Sequence, residues 1–338
     1  MGRAKVRAMV YLALLVSLAA TAAERAPVFD RDAESEARRI KAILKQPEKQ
    51  MDLARIELTF DKMVEPSVDI EASLHQIETV VAQVRTMLTP YAQSGEKLFA
   101  LTRFLYEPGP WNGYQTFQYD FDDPLGGNVH NRILAHYLRT RKGNCVTMPF
   151  LFVILGQRLG IDVTASTAPR HIFVKYTDPE GKVFNLEPTS GAKPARDEWL
   201  RAQHHITDKA ISNGIYMQKL SKQETAAMMA QTVAEVLRKY GEYEKSIAVA
   251  EVTLAVYPKN IAAITLLGSD YASISNRDFR TKYERPRDIP QYLRANYRYV
   301  EQQFEEWFEK ATALGWRKPS GVEEAEYLKV VRRATSSE

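Results

Sequence analysis

Over positions 68–88, apolar residues fall at Ile70, Leu74, Ile77, Val81, Val84 and Leu88. This is the three-and-four spacing of one helix face, and the run stops before Pro90. Similar stripes predict helices over 30–44, 53–60, 95–106 and 129–139. They return over 224–240, 244–257, 261–273 and 290–314. In between, the pattern changes. Positions 146–159 are apolar on nearly every side, which predicts a helix buried all round. After Gly160 come three short runs of β-branched and aromatic residues, 161–167, 171–176 and 182–187, which read as strands. Helices, then a small sheet, then helices define an α+β core followed by an all-α region. Positions 190–222 show no period and read as an irregular connector.

The turn between the last two strands carries more information than its length suggests. Asp178-Pro179-Glu180-Gly181 is the signature of a type I turn closed by a left-handed glycine, a three-residue hairpin loop. Pairing Asp178 with Lys182 sets Phe173 opposite Glu187 and His171 opposite Thr189. His171 and Glu187 then share a face as diagonal neighbours, about 7–8 Å apart between backbones. A two-residue loop would place them on opposite faces.

Cys145 is the single cysteine in 338 residues. Pro149 is tolerated only in the first turn of a helix, so the helix begins within a few positions of Cys145. The thiol therefore lies at the positive end of a buried helix, where a thiolate is favoured. A small, inert core residue is the other reading of such a cysteine. Arg3, Lys5 and Arg7, an apolar run over 8–19 and Ala20-Thr21-Ala22 compose a secretory signal peptide over 1–22. The expectation is an exported, periplasmic chain with no membrane helix after cleavage. In an oxidising compartment cysteines usually pair, so an unpaired one is either buried or kept free for chemistry. The formal charge of +4 includes the three basic residues of the leader, so it offers no argument for nucleic acid or membrane partners.

Cysteine at a helix mouth, histidine at a strand start and an acid on the paired strand follow the nucleophile, base and orienter logic of thiol acyl transfer. The candidates are Cys145, His171 and Glu187, with the Cys145 N–H as oxyanion donor. Asn144, Asn128, Trp111 and Asn185 are candidates for oxyanion or substrate contacts. Asn185 competes with Glu187 as orienter. Trp111 belongs to a Pro/Gly/Asp-rich loop over 107–128 that either walls a groove or forms a cover packed by its own aromatics. His204 and His205 are adjacent, without a carboxylate cluster, so neither a metal nor a cofactor is expected.

Gly143-Asn144-Cys145 and the apolar helix ending Arg158-Leu159-Gly160-Ile161 resemble the cysteine segment of the transglutaminase-like superfamily. His171-Ile172-Phe173-Val174 is similar to its histidine strand. Asn185-Leu186-Glu187-Pro188-Thr189 is similar to its acid strand, which normally ends Asp-Pro-Thr. Upstream, Asp122-Asp123-Pro124, Asn128, Asn131-Arg132-Ile133-Leu134, Tyr137-Leu138 and Arg141 resemble the bacterial branch in which tetratricopeptide repeats follow. Helix, Gly241-Glu242-Tyr243 turn, helix and Pro258 over 223–275 fit one such repeat and the start of another. The resemblance implies a transglutaminase-like domain over 27–215, with its cysteine helix on an antiparallel sheet. Repeat-like helices over 223–275, and a basic insert with a final helix over 276–338, complete the expected layout. It implies a thiol enzyme acting on amide bonds of a protein or peptide, more readily by hydrolysis than by cross-linking, with a protein partner on the repeats. A non-catalytic peptide-binding scaffold is the alternative. A segment near 215–223 is expected to be a cleavable linker.

Overall fold

The computed structural model describes residues 35–123, 126–321 and 323. The signal peptide expected over 1–22 lies outside them. Four helices come first: α1 (Ser35–Leu44), α2 (Leu53–Val64), α3 (Ile70–Thr86) and α4 (Ser94–Tyr106). The boundaries follow local chemistry. Asp52 and Asp69 cap α2 and α3 by accepting from Ala54 N–H and Ala72 N–H, and Gln93 and Glu96 form a capping box on α4. The stretch 107–128 is ordered where described. Its short strand β1 (Gln118–Tyr119) runs parallel to β2 (Lys142–Gly143), just before Cys145. Between them, the helix expected over 129–139 is broken into a 3₁₀ turn, Val129–Arg132, and α5 (Leu134–Thr140).

Helix α6 (Thr147–Arg158) is the apolar one, buried from Thr147 to Gly156. It packs against a four-stranded antiparallel meander: β3 (Val163–Ala168), β4 (His171–Thr177), β5 (Val183–Glu187) and β6 (Lys193–Ala195). The approach is close because Gly156 faces β3. A Cβ there would fall 2.4 Å from Val163 Cγ2. The hairpin register is the one the turn chemistry implies. Lys175 pairs with Asn185 and Val174 with Leu186, and Gly181 has φ +84°. Glu187 is the next residue, on the face of His171. Thr189 leaves the ladder because the chain turns into a 3₁₀ segment at Pro188–Ser190. The expected irregular connector is a correction: it contains β6, α7 (Asp197–Gln203) and α8 (Asp208–Ser212). These are too short for periodicity to register.

The remaining helices are α9 (Lys222–Lys239), α10 (Tyr243–Val256), α11 (Ile261–Ser275) and α12 (Arg294–Ala313). Helices α9 and α10 pack on each other, and α11 on α12, with the Phe308 ring against Gly268. The basic insert is pinned rather than loose. Arg277 bonds Glu244 and Asp278, and Arg280 bonds Glu301.

The stretch expected to be an exposed linker is built into the core. Ile215, Tyr216 and Leu220 are buried. Met217 N–H donates to Thr167 O (2.9 Å) and Leu220 N–H to Ala165 O (3.0 Å), so the segment lies along β3. Gln223 Nε2 donates to Leu44 O (3.1 Å) and α9 packs on α2, joining the first helices to the C-terminal helical region. Limited trypsin digestion is therefore expected to spare Lys219 and Lys222, since cleavage requires the segment to detach from the sheet. Recovery of a folded fragment ending at 215–223 would show that the two halves are independent.

Candidate functional site

The cysteine loop is built by its neighbours in sequence. Asn144 Oδ1 accepts from Val146 N–H (2.9 Å) and Thr147 N–H (3.3 Å). Thr147 Oγ1 in return accepts from Asn144 N–H (3.2 Å). Asn144 O accepts from Met148 N–H (3.1 Å), so the turn that carries Cys145 runs directly into the first turn of α6. The Cys145 N–H meets no acceptor among the described residues, and the thiol is partly exposed. The 107–128 loop holds this corner from behind. Asp120 N–H donates to Gly143 O (2.7 Å), and Asn131 Nδ2 bridges Asp120 (2.8 Å) and Asp123 (2.9 Å).

From the sheet comes His171. Its Nε2 lies 2.8 Å from Glu187 Oε2, which leaves Nδ1 for the thiol. Both groups of this pair are nearly buried, with side chains 12% and 7% exposed. Burial opposes a charge on the ring. Hydrogen bonding to Cys145 and Glu187, and their negative charge, override it and raise the His171 pKa to about 10. Cys145 Sγ also lies 3.9 Å from the carbonyl oxygen of Arg170, in the two-residue turn that joins β3 to β4. Cysteine, histidine and glutamate are thus brought together by a helix mouth, a strand start and a strand end.

The four secondary candidates have other occupations. Asn144 spends its side-chain oxygen on the cap just described. Asn128 is exposed, and its Oδ1 caps the following 3₁₀ turn by accepting from His130 N–H (3.0 Å). The Trp111 ring lies under the Arg103 guanidinium at 3.9 Å, with Nε1–H donating to Arg103 O (3.3 Å) and Glu107 O (3.2 Å), which seals the end of α4. Asn185 is buried against Lys175 Nζ (2.7 Å) and Asp197 Oδ1 (2.6 Å), so Glu187 alone of the two meets His171.

Two residues of the site had no assigned role in the sequence. His204, at the end of α7, stacks on His171 with ring centroids 4.7 Å apart and planes 14° from parallel. Burial and the neighbouring His171 charge push its pKa down to about 3, so it packs as a neutral ring. Arg132 reaches the cysteine corner from the turn before α5 and interacts electrostatically with Cys145. Arg132 stands inside the stretch that carries the family resemblance. Nothing local marks His204, whose place depends on where α7 docks.

A cysteine at the mouth of a buried helix, facing a histidine–carboxylate pair on an antiparallel sheet, defines the class: an α+β domain of transglutaminase-like construction. Comparison of the sequence with protein families agrees. Residues 71–231 match the model described as the transglutaminase-like superfamily, so this stretch, from α3 into α9, is a domain of that superfamily. The chain is also similar to a UPF0162 protein of Xylella fastidiosa strain Temecula1, 20% identical over 62% of this chain and 74% of that protein. A UPF0162 protein of Buchnera aphidicola is 23% identical over 42% of this chain and 53% of its own. No solved structure matches the chain.

Proposed function

We propose that this chain is an exported thiol acyl-transfer enzyme that hydrolyses amide bonds of a peptide or protein through Cys145, His171 and Glu187. The observation that carries the reading is the 2.8 Å bond that orients His171 while the Cys145 thiol acts on the same ring. His171 holds the thiol proton. The Cys145 sulfur attacks the amide carbonyl carbon, and the oxyanion accepts from the Cys145 N–H at the helix mouth. His171 gives its proton to the leaving nitrogen as the C–N bond breaks, leaving a thioester on Cys145. Water then attacks the thioester and His171 takes its proton; the C–S bond breaks, the acid departs, and the thiolate is left beside protonated His171 as at the start. Glu187 fixes the ring tautomer and stabilises its charged form. Water is the acyl acceptor in this reading because it is always at hand and no residue of the site marks an amine pocket. Helices α9–α11, with their repeat-like sequence, are proposed to bind a protein partner.

The test is trapping by a peptide vinyl sulfone. Mass spectrometry should find one adduct per chain, on Cys145, formed at pH 6–7 faster than with a free thiol, and His171→Ala should slow it by about 10²-fold or more. Labelling of wild type no faster than a free thiol would favour a peptide-binding scaffold that carries the cysteine without using it.

A further inference from the structure

The Arg132 guanidinium is held at both ends. Nε donates to Gly126 O at 3.1 Å, and Nη1 pairs with Glu235 on α9. Its distance from the cysteine corner can be gauged through Gly126. A Cβ added at Gly126 would lie 3.1 Å from Asn144 Nδ2 and 3.7 Å from Arg132 Nε, and Asn144 is bonded directly to Cys145 along the chain. The Arg132 side chain is 27% exposed and that of Glu235 is 35% exposed. A second tie follows one turn along α9, where Lys239 Nζ donates to Gly127 O at 3.3 Å. Helix α9 therefore grips the 126–132 segment that precedes the nucleophile.

We propose that Arg132 is a positioning residue that stabilises negative charge on the Cys145 sulfur, and that Glu235 of α9 holds its guanidinium in place for that task. The inference rests on the thiol reading above. A guanidinium suits the role because it stays charged at every working pH and its fork satisfies a carbonyl and a carboxylate at once. Burial lowers the Arg132 pKa, while the negative charges of Cys145 and Asp123 act in the opposite direction. The other ionisable groups around the sulfur are His171 and Glu187 from β4 and β5 and neutral His204 after α7. Arg170 precedes β4, and Lys239 faces the 126–132 segment from α9.

The experiment is the pH profile of Cys145 alkylation by iodoacetamide in the full chain. Arg132→Gln should move the profile upward by about one pH unit, the direction expected when an opposite charge beside a thiolate is removed. Arg132→Lys should restore most of that shift. Glu235→Ala should shift the profile the same way, and adding it to Arg132→Gln should have no further effect, because Glu235 works through Arg132. An Arg132→Gln profile that superimposes on wild type in a folded protein overturns the inference. So does a Glu235→Ala shift that simply adds to that of Arg132→Gln. Should Arg132→Gln fail to fold, Arg132→Lys and Glu235→Ala decide, since a folded Glu235→Ala with the wild-type profile also overturns it. If wild type itself alkylates with the profile of a free thiol, about 8.5, the failure belongs to the thiol–imidazole reading.

Discussion

Cys145→Ser is expected to abolish amide hydrolysis, with a loss of at least about 10⁴-fold, while folding stability stays within about 1 kcal/mol of wild type. A serine hydroxyl is far less acidic than a thiol, so His171 cannot hold its proton in the resting state and the attacking anion is missing. The cap around it is insensitive to the change, because Asn144 and Thr147 bond to backbone groups rather than to sulfur. Activity and denaturation midpoint measured on one preparation decide the matter. Turnover in the serine variant within about tenfold of wild type would place the nucleophile elsewhere.

Glu187→Gln should lower the rate by about 10²–10⁴-fold with the fold intact. The carboxylate accepts from His171 Nε2 at 2.8 Å and from Thr189 Oγ1 at 3.4 Å. An amide can face the ring with the wrong group, and it does not stabilise the imidazolium. Glu187→Asp should also lose rate, since its carboxyl falls short by about one bond, roughly 1.5 Å. The readout that separates this role from packing is the His171 pKa by NMR, expected at about 10 in wild type, where the bonds to Cys145 and Glu187 outweigh burial. Removing the carboxylate must lower it. Asn185→Ala should leave it unmoved, because Asn185 bonds Lys175 and Asp197 rather than the imidazole. A pKa that moves with Asn185 and not with Glu187 would reverse the assignment. The same raised value has a consequence for stability. The folded-state pKa lies above the ordinary value of about 6.5, so the charged ring stabilises the fold fully below that pH. That contribution is lost as the pH rises toward about 10.

Legibility in the sequence followed the range of the interaction. The apolar block before Gly160 announced α6, because a helix buried all round needs apolar residues on every face. Asp178-Pro179-Glu180-Gly181 set the hairpin register, because turn type is decided by a few adjacent residues, and that register alone put His171 and Glu187 on one face. In the structure the starts of α2, α3 and α4 are set by capping groups within a few positions, Asp52, Asp69 and the Gln93–Glu96 box. Local reasoning was weaker where one residue had two possible partners. Asn185 stands on the strand face of Glu187, but the register sets it opposite Lys175, four residues from His171, and its amide is taken up by Lys175 and by Asp197 of α7.

What the sequence by itself determined is the α+β order of elements, the helix mouth at Cys145 and the hairpin that pairs histidine with glutamate. Each depends on contacts between residues near in the chain. Tertiary structure alone decided that His204 stacks on His171, that Glu235 reaches Arg132 across 103 positions, and that 215–220 lies along β3. These arrangements come from α7 and α9 burying their apolar faces against elements far away in sequence, and the same helix face could be satisfied by many neighbours. Periodicity shows that a face will be covered; it carries no record of what covers it.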